Sequence, residues 1–194
     1  YQLNPHFLFN TLNAISTLIL DRDNATANRM VQGLSSFLRH SLDNDPMQRV
    51  TLRQELDALT LYLDIEKIRF AERLRIETAI DEDCWRALLP SLLLQPLVEN
   101  AIKYAVAKQV AGGLLRIEAE RDGEQLVLRV IDDGPGCSAI EGDQLPPGKG
   151  VGLRNTRERL HVLYGDTGGF SVRNRERGIE ENLELFRRMR AGEF

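Results

Sequence analysis

Cysteine is scarce in this chain. The two present, Cys84 and Cys137, lie far apart without the spacing of metal ligands. Two free thiols of a reducing compartment is the simple reading, with a disulfide or a metal site as the alternative. A basic excess is missing too. The formal net charge is −4, which leaves no cationic footprint and argues against nucleic acid as a direct ligand. Long apolar runs are also absent: none reaches the roughly 18 residues that cross a bilayer. The start carries neither a signal-peptide pattern nor an initiator methionine, and it opens inside what reads as a helix. A piece of a longer protein is expected.

What is present is ordinary for a globular chain, with 42% hydrophobic and 28% charged residues. At 194 residues there is room for one large domain or for a small and a medium one.

The pattern from about residue 4 to 20 is helical. Leu8, Leu12, Ile15 and Ile19 fall on one stripe and His6, Asn10, Asn13 and Thr17 on the opposite one, with Phe7 and Phe9 flanking. Pro5 suits the first helical turn, where its missing N–H costs nothing. After Asp21-Arg22-Asp23-Asn24, where Asp23 or Asn24 can cap, a second helix runs to about Leu42. Its apolar side holds Ala27, Met30, Val31, Leu34, Phe37, Leu38 and Leu42. Two helices joined by a short connector make an antiparallel hairpin. About 40 residues bury little alone, so the hairpin is expected to pair with a second copy in a dimeric four-helix bundle. Packing against the rest of its own chain is the alternative.

Asp43-Asn44-Asp45-Pro46 is a breaker cluster and marks the expected boundary between a unit at 1–45 and one at 48–194. A short strand at 49–52, a helix at about 53–70 and a strand at 74–80 follow. A helix over Ser91 to Ala107 comes next, then strands at 114–120 and 125–131 around Asp122-Gly123. A Gly- and Pro-rich segment leads to a helix at 152–164. The tail offers a strand at 169–174 and, at 181–187, a strand whose spacing also suits a helix. The mixture predicts an α+β fold: the hairpin, then a two-layer α/β sandwich of antiparallel-looking strands.

Three clusters carry candidate chemistry. In Gln95 to Tyr104, the Asn100 amide oxygen suits Mg²⁺, which shares hard oxygen ligands with phosphates, and Lys103 supplies a point charge. An exposed helix face is the plain alternative. In Asp132-Asp133-Gly134-Pro135-Gly136, a carboxylate ends a strand and two glycines let the backbone turn sharply; a simple turn reads equally well. In Gly148-Lys149-Gly150-Val151-Gly152-Leu153, alternating glycines precede a helix N-terminus, a weak form of anion cradle. Their spacing fits neither a dinucleotide fingerprint nor a phosphate loop of the Walker type. Between the last two clusters, Cys137 to Pro147 suits a lid or a disordered insertion.

In order and spacing the three clusters resemble the asparagine box and the two glycine boxes of the Bergerat-type ATP-binding fold. That fold is shared by histidine kinases, a heat-shock chaperone, gyrase and MutL. LNPHFLFNTLN at the start, Val50 to Leu56 with Tyr62 to Phe70, and LLLQPLVENAIKY resemble the LytS/YehU-type sensor histidine kinases. The resemblance implies His6 as phospho-acceptor, Asn10 as the polar residue one turn on, and Asn100 as the Mg²⁺ ligand. It implies Lys103 toward the phosphates, Tyr104 near the adenine and Asp132 on the adenine amine. Gly134 and Gly136 would shape the pocket, and Gly148, Gly150, Gly152 and Leu153 would hinge the lid. It further implies ATP with Mg²⁺, a homodimer, a response regulator of LytTR type, and a parent protein anchored in the membrane with this part in the cytoplasm.

Two positions depart from the wider pattern. Phe7 follows His6 where most histidine kinases have an acid. Pro96 stands four residues before Asn100, where ATP-hydrolysing relatives have a glutamate, which disfavours a dedicated ATPase. The alternative to a kinase is a nucleotide-binding dimeric scaffold without phosphoryl transfer.

Overall fold

The computed structural model describes residues 4–43, 45, 48–137, 140, 151–165 and 168–186. Helix α1 spans Pro5–Leu20, and its start is made locally. The Asn4 side chain accepts hydrogen bonds from His6 N at 3.1 Å and Phe7 N at 3.4 Å, while Pro5 sits where no N–H is needed. Helix α2 spans Asn24–Asp43. It opens where Asp23 Oδ1 accepts Thr26 N at 3.1 Å.

The buried stripe of α1 is Phe7, Thr11 and Ile15, with Leu8, Ala14 and Leu18 partly covered. This corrects the expected stripe: of Leu8, Leu12, Ile15 and Ile19 only Ile15 is buried, and Leu12 and Ile19 are exposed. Thr11 can go inside because its hydroxyl donates to Phe7 O at 2.9 Å. The face of α2 formed by Ala27, Met30, Leu34 and Phe37 is buried as expected, whereas Val31 and Leu42 face outward.

Strand β1 (Arg49–Thr51) leads straight into helix α3 (Leu52–Phe70). A capping box starts that helix: Gln54 N donates to Thr51 Oγ1 at 3.2 Å, and Thr51 N donates to Gln54 Oε1 at 2.9 Å. The hairpin packs on α3 of its own chain. Phe7, Phe37 and Tyr62 meet there with ring centroids 4.8 to 5.9 Å apart, Phe7 edge-on to Phe37. The buried core then runs without a break from Phe7 through Tyr62 to Leu183.

Strand β2 is Leu74–Ile80, β3 Leu88–Pro90, β4 Gly113–Asp122, β5 Gln125–Asp132, β6 Gly168–Asn174 and β7 Ile179–Phe186. β1 pairs antiparallel with β3. The other five form one sheet in the order β2-β4-β5-β7-β6. Its β2–β4 pair is parallel and the rest antiparallel, so the sheet is mixed. Helices α4 (Gln95–Ala101) and α5 (Val151–Tyr164) cover one face. The other carries cross-strand charges, including Arg129 to Glu118 at 3.6 Å and Arg173 to Glu180 at 2.5 Å. The α+β class and the two-layer sandwich hold.

The helix expected from Ser91 begins only at Gln95. Buried Glu55 on α3 accepts Leu92 N and Leu94 N, each at 2.8 Å, and Leu92 sits at φ 58°. The left-handed Leu92 keeps the chain out of the helix there, and the carboxylate satisfies the two amides left without helical partners. Burial pushes the Glu55 carboxyl up in pKa, against the pull of those amide bonds. Beyond Ala101 the helix continues as one π-helical turn, Ile102–Val106, a form frequent beside functional sites. The uncertain tail segment is a strand.

Candidate functional site

Asp132 ends β5 and is buried. Its Oδ1 accepts Gly134 N at 2.9 Å and Ile179 N at 3.3 Å. Burial pushes its carboxyl up to about 6 against those two bonds, and Asp133 adds repulsion. The neighbouring Asp133 serves the sheet instead, taking Leu114 N at 2.6 Å and Arg75 at 3.3 Å. Gly134 is required by close packing: a Cβ there would lie 2.7 Å from Ala105 Cβ and 2.9 Å from Asp132 Oδ1. Gly178, at φ 85°, comes so close that a Cβ would sit 1.8 Å from Asp132 O. Gly136, at φ 74°, also needs the left-handed region.

Asn100 reaches from α4 toward this strand end. Its Nδ2 donates to Glu181 Oε1 on β7 at 2.9 Å. Glu181 is buried, and its carboxyl is pushed up to about 8, first by burial and further by nearby Asp132, while the Asn100 bond pulls it down. Asp132, Asn100 and Glu181 thus form one cluster. Lys103 is exposed, its Nζ 4.9 Å from the Tyr104 ring centroid, and Lys108 Nζ stands 4.5 Å from the same ring. Among the described residues no group of three His, Cys, Asp or Glu side chains could hold a metal ion.

Gly152 and Leu153 open α5. Leu153 is buried, and a Cβ on Gly152 would make ordinary contact with Pro96 at 3.5 Å. Nothing in the described packing demands that glycine. Gly148, Gly150 and most of the segment expected as a lid lie outside the described residues.

His6 is exposed on the first turn of α1. Asn10 Nδ2 stands 3.0 Å from His6 Nδ1. Phe7, where an acid is common, is only 4% exposed and points into the core. The helix start is tied to α4, because Asn4 Nδ2 donates to Glu99 Oε2 at 3.2 Å and Gln95 Nε2 donates to Glu99 Oε1 at 2.8 Å. Sequence reasoning missed Asn4, Glu181 and Gly178. Asn ahead of Pro is a helix-start signal that would have found the first. Glu181 shares its side of β7 with Leu183 and Leu185, so the strand's alternation pointed it inward.

A sequence model of the family described as "Histidine kinase" matches residues 1–74. One described as "Histidine kinase-, DNA gyrase B-, and HSP90-like ATPase" matches residues 87–189. The chain is 39% identical over 171 residues to sensor histidine kinase BtsS of Escherichia coli, covering 88% of this chain and 29% of that one. It is 36% identical over 194 residues to sensor protein LytS of Staphylococcus haemolyticus, covering 95% and 32%. The chain thus spans about a third of the length of the curated relatives it matches. Among solved structures, the histidine kinase AdeS of Acinetobacter baumannii superposes with a TM-score of 0.55 at 16% identity, covering 95% of this chain and 98% of that one. The catalytic domain of histidine kinase ThkA superposes with a TM-score of 0.56 at 17% identity, covering 71% and 93%. These two likenesses are of fold. No helix among the described residues is long and apolar enough to cross a membrane.

Proposed function

The chain belongs to the histidine kinase family, and we propose that it is the catalytic core of a sensor kinase that moves the γ-phosphoryl group of ATP onto His6. Residues 1–45 serve as the histidine-bearing, dimerising hairpin and residues 48–194 as the ATP-binding part. The observation that carries this reading is the tie between the two. An exposed histidine stands on a helix whose cap, Asn4, bonds to Glu99, the neighbour of Asn100.

The residues present fit the nucleotide. Backbone amides occupy Asp132 Oδ1, so Oδ2 is the oxygen for the adenine amine. Gly134 and Gly178 let the backbone close around Asp132, where a Cβ would strike Ala105 or the Asp132 backbone, and Gly136 supplies a left-handed turn beside it. Tyr104 flanks the base, and exposed Lys103 meets the phosphates. Gly148, Gly150, Gly152 and Leu153 hinge the cover. The site also fits Mg²⁺ held mostly by phosphate oxygens, with Asn100 Oδ1 as the protein ligand, since the described residues offer no dedicated carboxylate cage.

ATP supplies the phosphoryl group, and Mg²⁺ its charge neutralisation. The chain's own part is positioning. Turning the Asn10 carboxamide by half a turn puts its oxygen against Nδ1–H. The imidazole is then neutral with its lone pair on Nε2. The Nε2–P bond forms as the bond to the β–γ bridging oxygen breaks, and ADP leaves. Asn10 thereby takes the orienting task of the missing acid. The phosphoryl group passes on to an aspartate of a response regulator, of LytTR type. Histidine kinases pair with response regulators, as ThkA does in its complex with response regulator protein TrrA. The full-length protein anchors this part to a membrane, on its cytoplasmic side.

Incubation with γ-labelled ATP and Mg²⁺ tests the reading. A label that acid removes and base leaves is expected. A second reading, a nucleotide-binding dimeric scaffold, is favoured by one observation, the burial of Phe7 where an acid would stand. ADP binding by calorimetry together with no label on the full-length protein would select it.

A further inference from the structure

Strand β7 carries an acid on its buried side. Its register sets Glu181 opposite Val130 of β5, and on the same side Leu183 and Leu185 are buried as ordinary core residues. Glu181 itself is 3% exposed. A carboxyl in such a place is costly unless well paired, and a leucine of similar size avoids the cost. Yet Glu181 has little pairing. Oε1 receives Asn100 Nδ2 at 2.9 Å, and Oε2 has no partner among the described residues. The side chain therefore does little for the fold that an apolar one would not do better. What it does do is fix one end of one amide.

The two ends of a carboxamide are nearly equal in shape and opposite in chemistry. A hard cation takes the oxygen, and the NH₂ end repels it. Asn100 alone has no reason to prefer one orientation. Facing Oε1, it does: the amide nitrogen donates to that oxygen, while a flipped amide would set oxygen against oxygen unless the carboxyl turned its proton to Oε1. On the reading of Asn100 as the Mg²⁺ ligand, we propose that Glu181 is a positioning residue that holds the Asn100 amide with Oδ1 turned toward the metal. The acceptor oxygen is the working feature. A glutamine at 181 supplies the same acceptor and a leucine supplies none.

Calorimetry of the 194-residue chain with ADP, once in Mg²⁺ and once in EDTA, tests this. The parent is expected to bind ADP more tightly in Mg²⁺. Glu181→Gln is expected to keep that gain. Glu181→Leu is expected to lose roughly 10- to 100-fold of it, the usual effect of removing a residue that orients a metal ligand, with affinity in EDTA unchanged. Asn100→Ala removes the gain as well, and adding Glu181→Leu to it changes nothing more. Thermal melts accompany each variant, and Glu181→Leu is expected to be at least as stable as the parent. Retention of the full gain in Glu181→Leu would overturn this inference alone, as would an equal loss in Glu181→Gln. A parent that binds no ADP would overturn the nucleotide site itself.

Discussion

Asn4 bonds to Glu99 across 95 positions of sequence, at 3.2 Å. One end of its side chain caps the His6 helix and the other holds the helix that bears Asn100. Asn4→Asp separates the two tasks. It keeps an acceptor for the His6 and Phe7 amides and sets a carboxylate against a carboxylate. Autophosphorylation is expected to fall roughly fivefold, equivalent to about 1 kcal/mol, with helix content by circular dichroism unchanged. Glu99→Gln in the same chain is expected to restore it. An unaltered rate in Asn4→Asp would show that the tie does not serve transfer.

Phe7 occupies the place of the usual acid, but it belongs to the core, wedged against Phe37 and Tyr62. Restoring an acid there would bury a carboxylate. Phe7→Glu is expected to cost at least the roughly 3–5 kcal/mol of deleting a buried phenylalanine. It is not expected to raise the rate of His6 labelling. Urea denaturation checks the first statement. A variant as stable as the parent would mean that the α1 start swings clear of α3.

Glu66 gives stability a pH dependence. Burial outweighs the attraction of Arg69, 2.8 Å away, and raises its carboxyl from the ordinary 4.5 to about 6. The folded chain therefore holds the proton more tightly than the unfolded one. This contribution is full below pH about 4.5 and is lost as pH rises through about 6, a loss of about 2 kcal/mol. Glu66→Gln has no such loss. Its stability relative to the parent is expected to improve by about that amount between pH 4.5 and pH 7, read from unfolding curves at both. A constant difference would contradict the assignment.

Helix α1 carries a second apolar face. Phe9 is 67% exposed, Leu12 51%, Ile19 54% and Leu20 82%, although the helix already buries Phe7 and Ile15 on its own chain. A second copy is the proposed cover. Sedimentation is expected to give a dimer for the parent and a monomer for the pair Leu12→Glu with Ile19→Glu. Equal masses for both would remove this face from the dimer contact.

That double-sided helix also marks where the sequence stopped being legible. Periodicity showed a helix over 4–20 correctly, but apolar residues occupy two faces of it. Which face turns inward is not legible from spacing, because a buried Thr11 reads as polar until its hydroxyl is seen bonded to Phe7 O. The helix expected from Ser91 begins late for a similar reason, since the Glu55 carboxylate that takes two amides there comes from 37 and 39 positions away. The candidate residues Asn100 and Asp132 were legible through motif and spacing. Glu181, which binds one and repels the other, was not, because only the sheet brings β7 beside α4.

The nucleotide site is proposed to serve His6, and the chain has three histidines with which to test this: His6, His40 and His161. Each is replaced in turn by alanine and the chain is incubated with γ-labelled ATP and Mg²⁺. The acid-labile label is expected to vanish in His6→Ala and to persist in His40→Ala and His161→Ala. A His6→Ala chain labelled as fully as the parent would contradict the account.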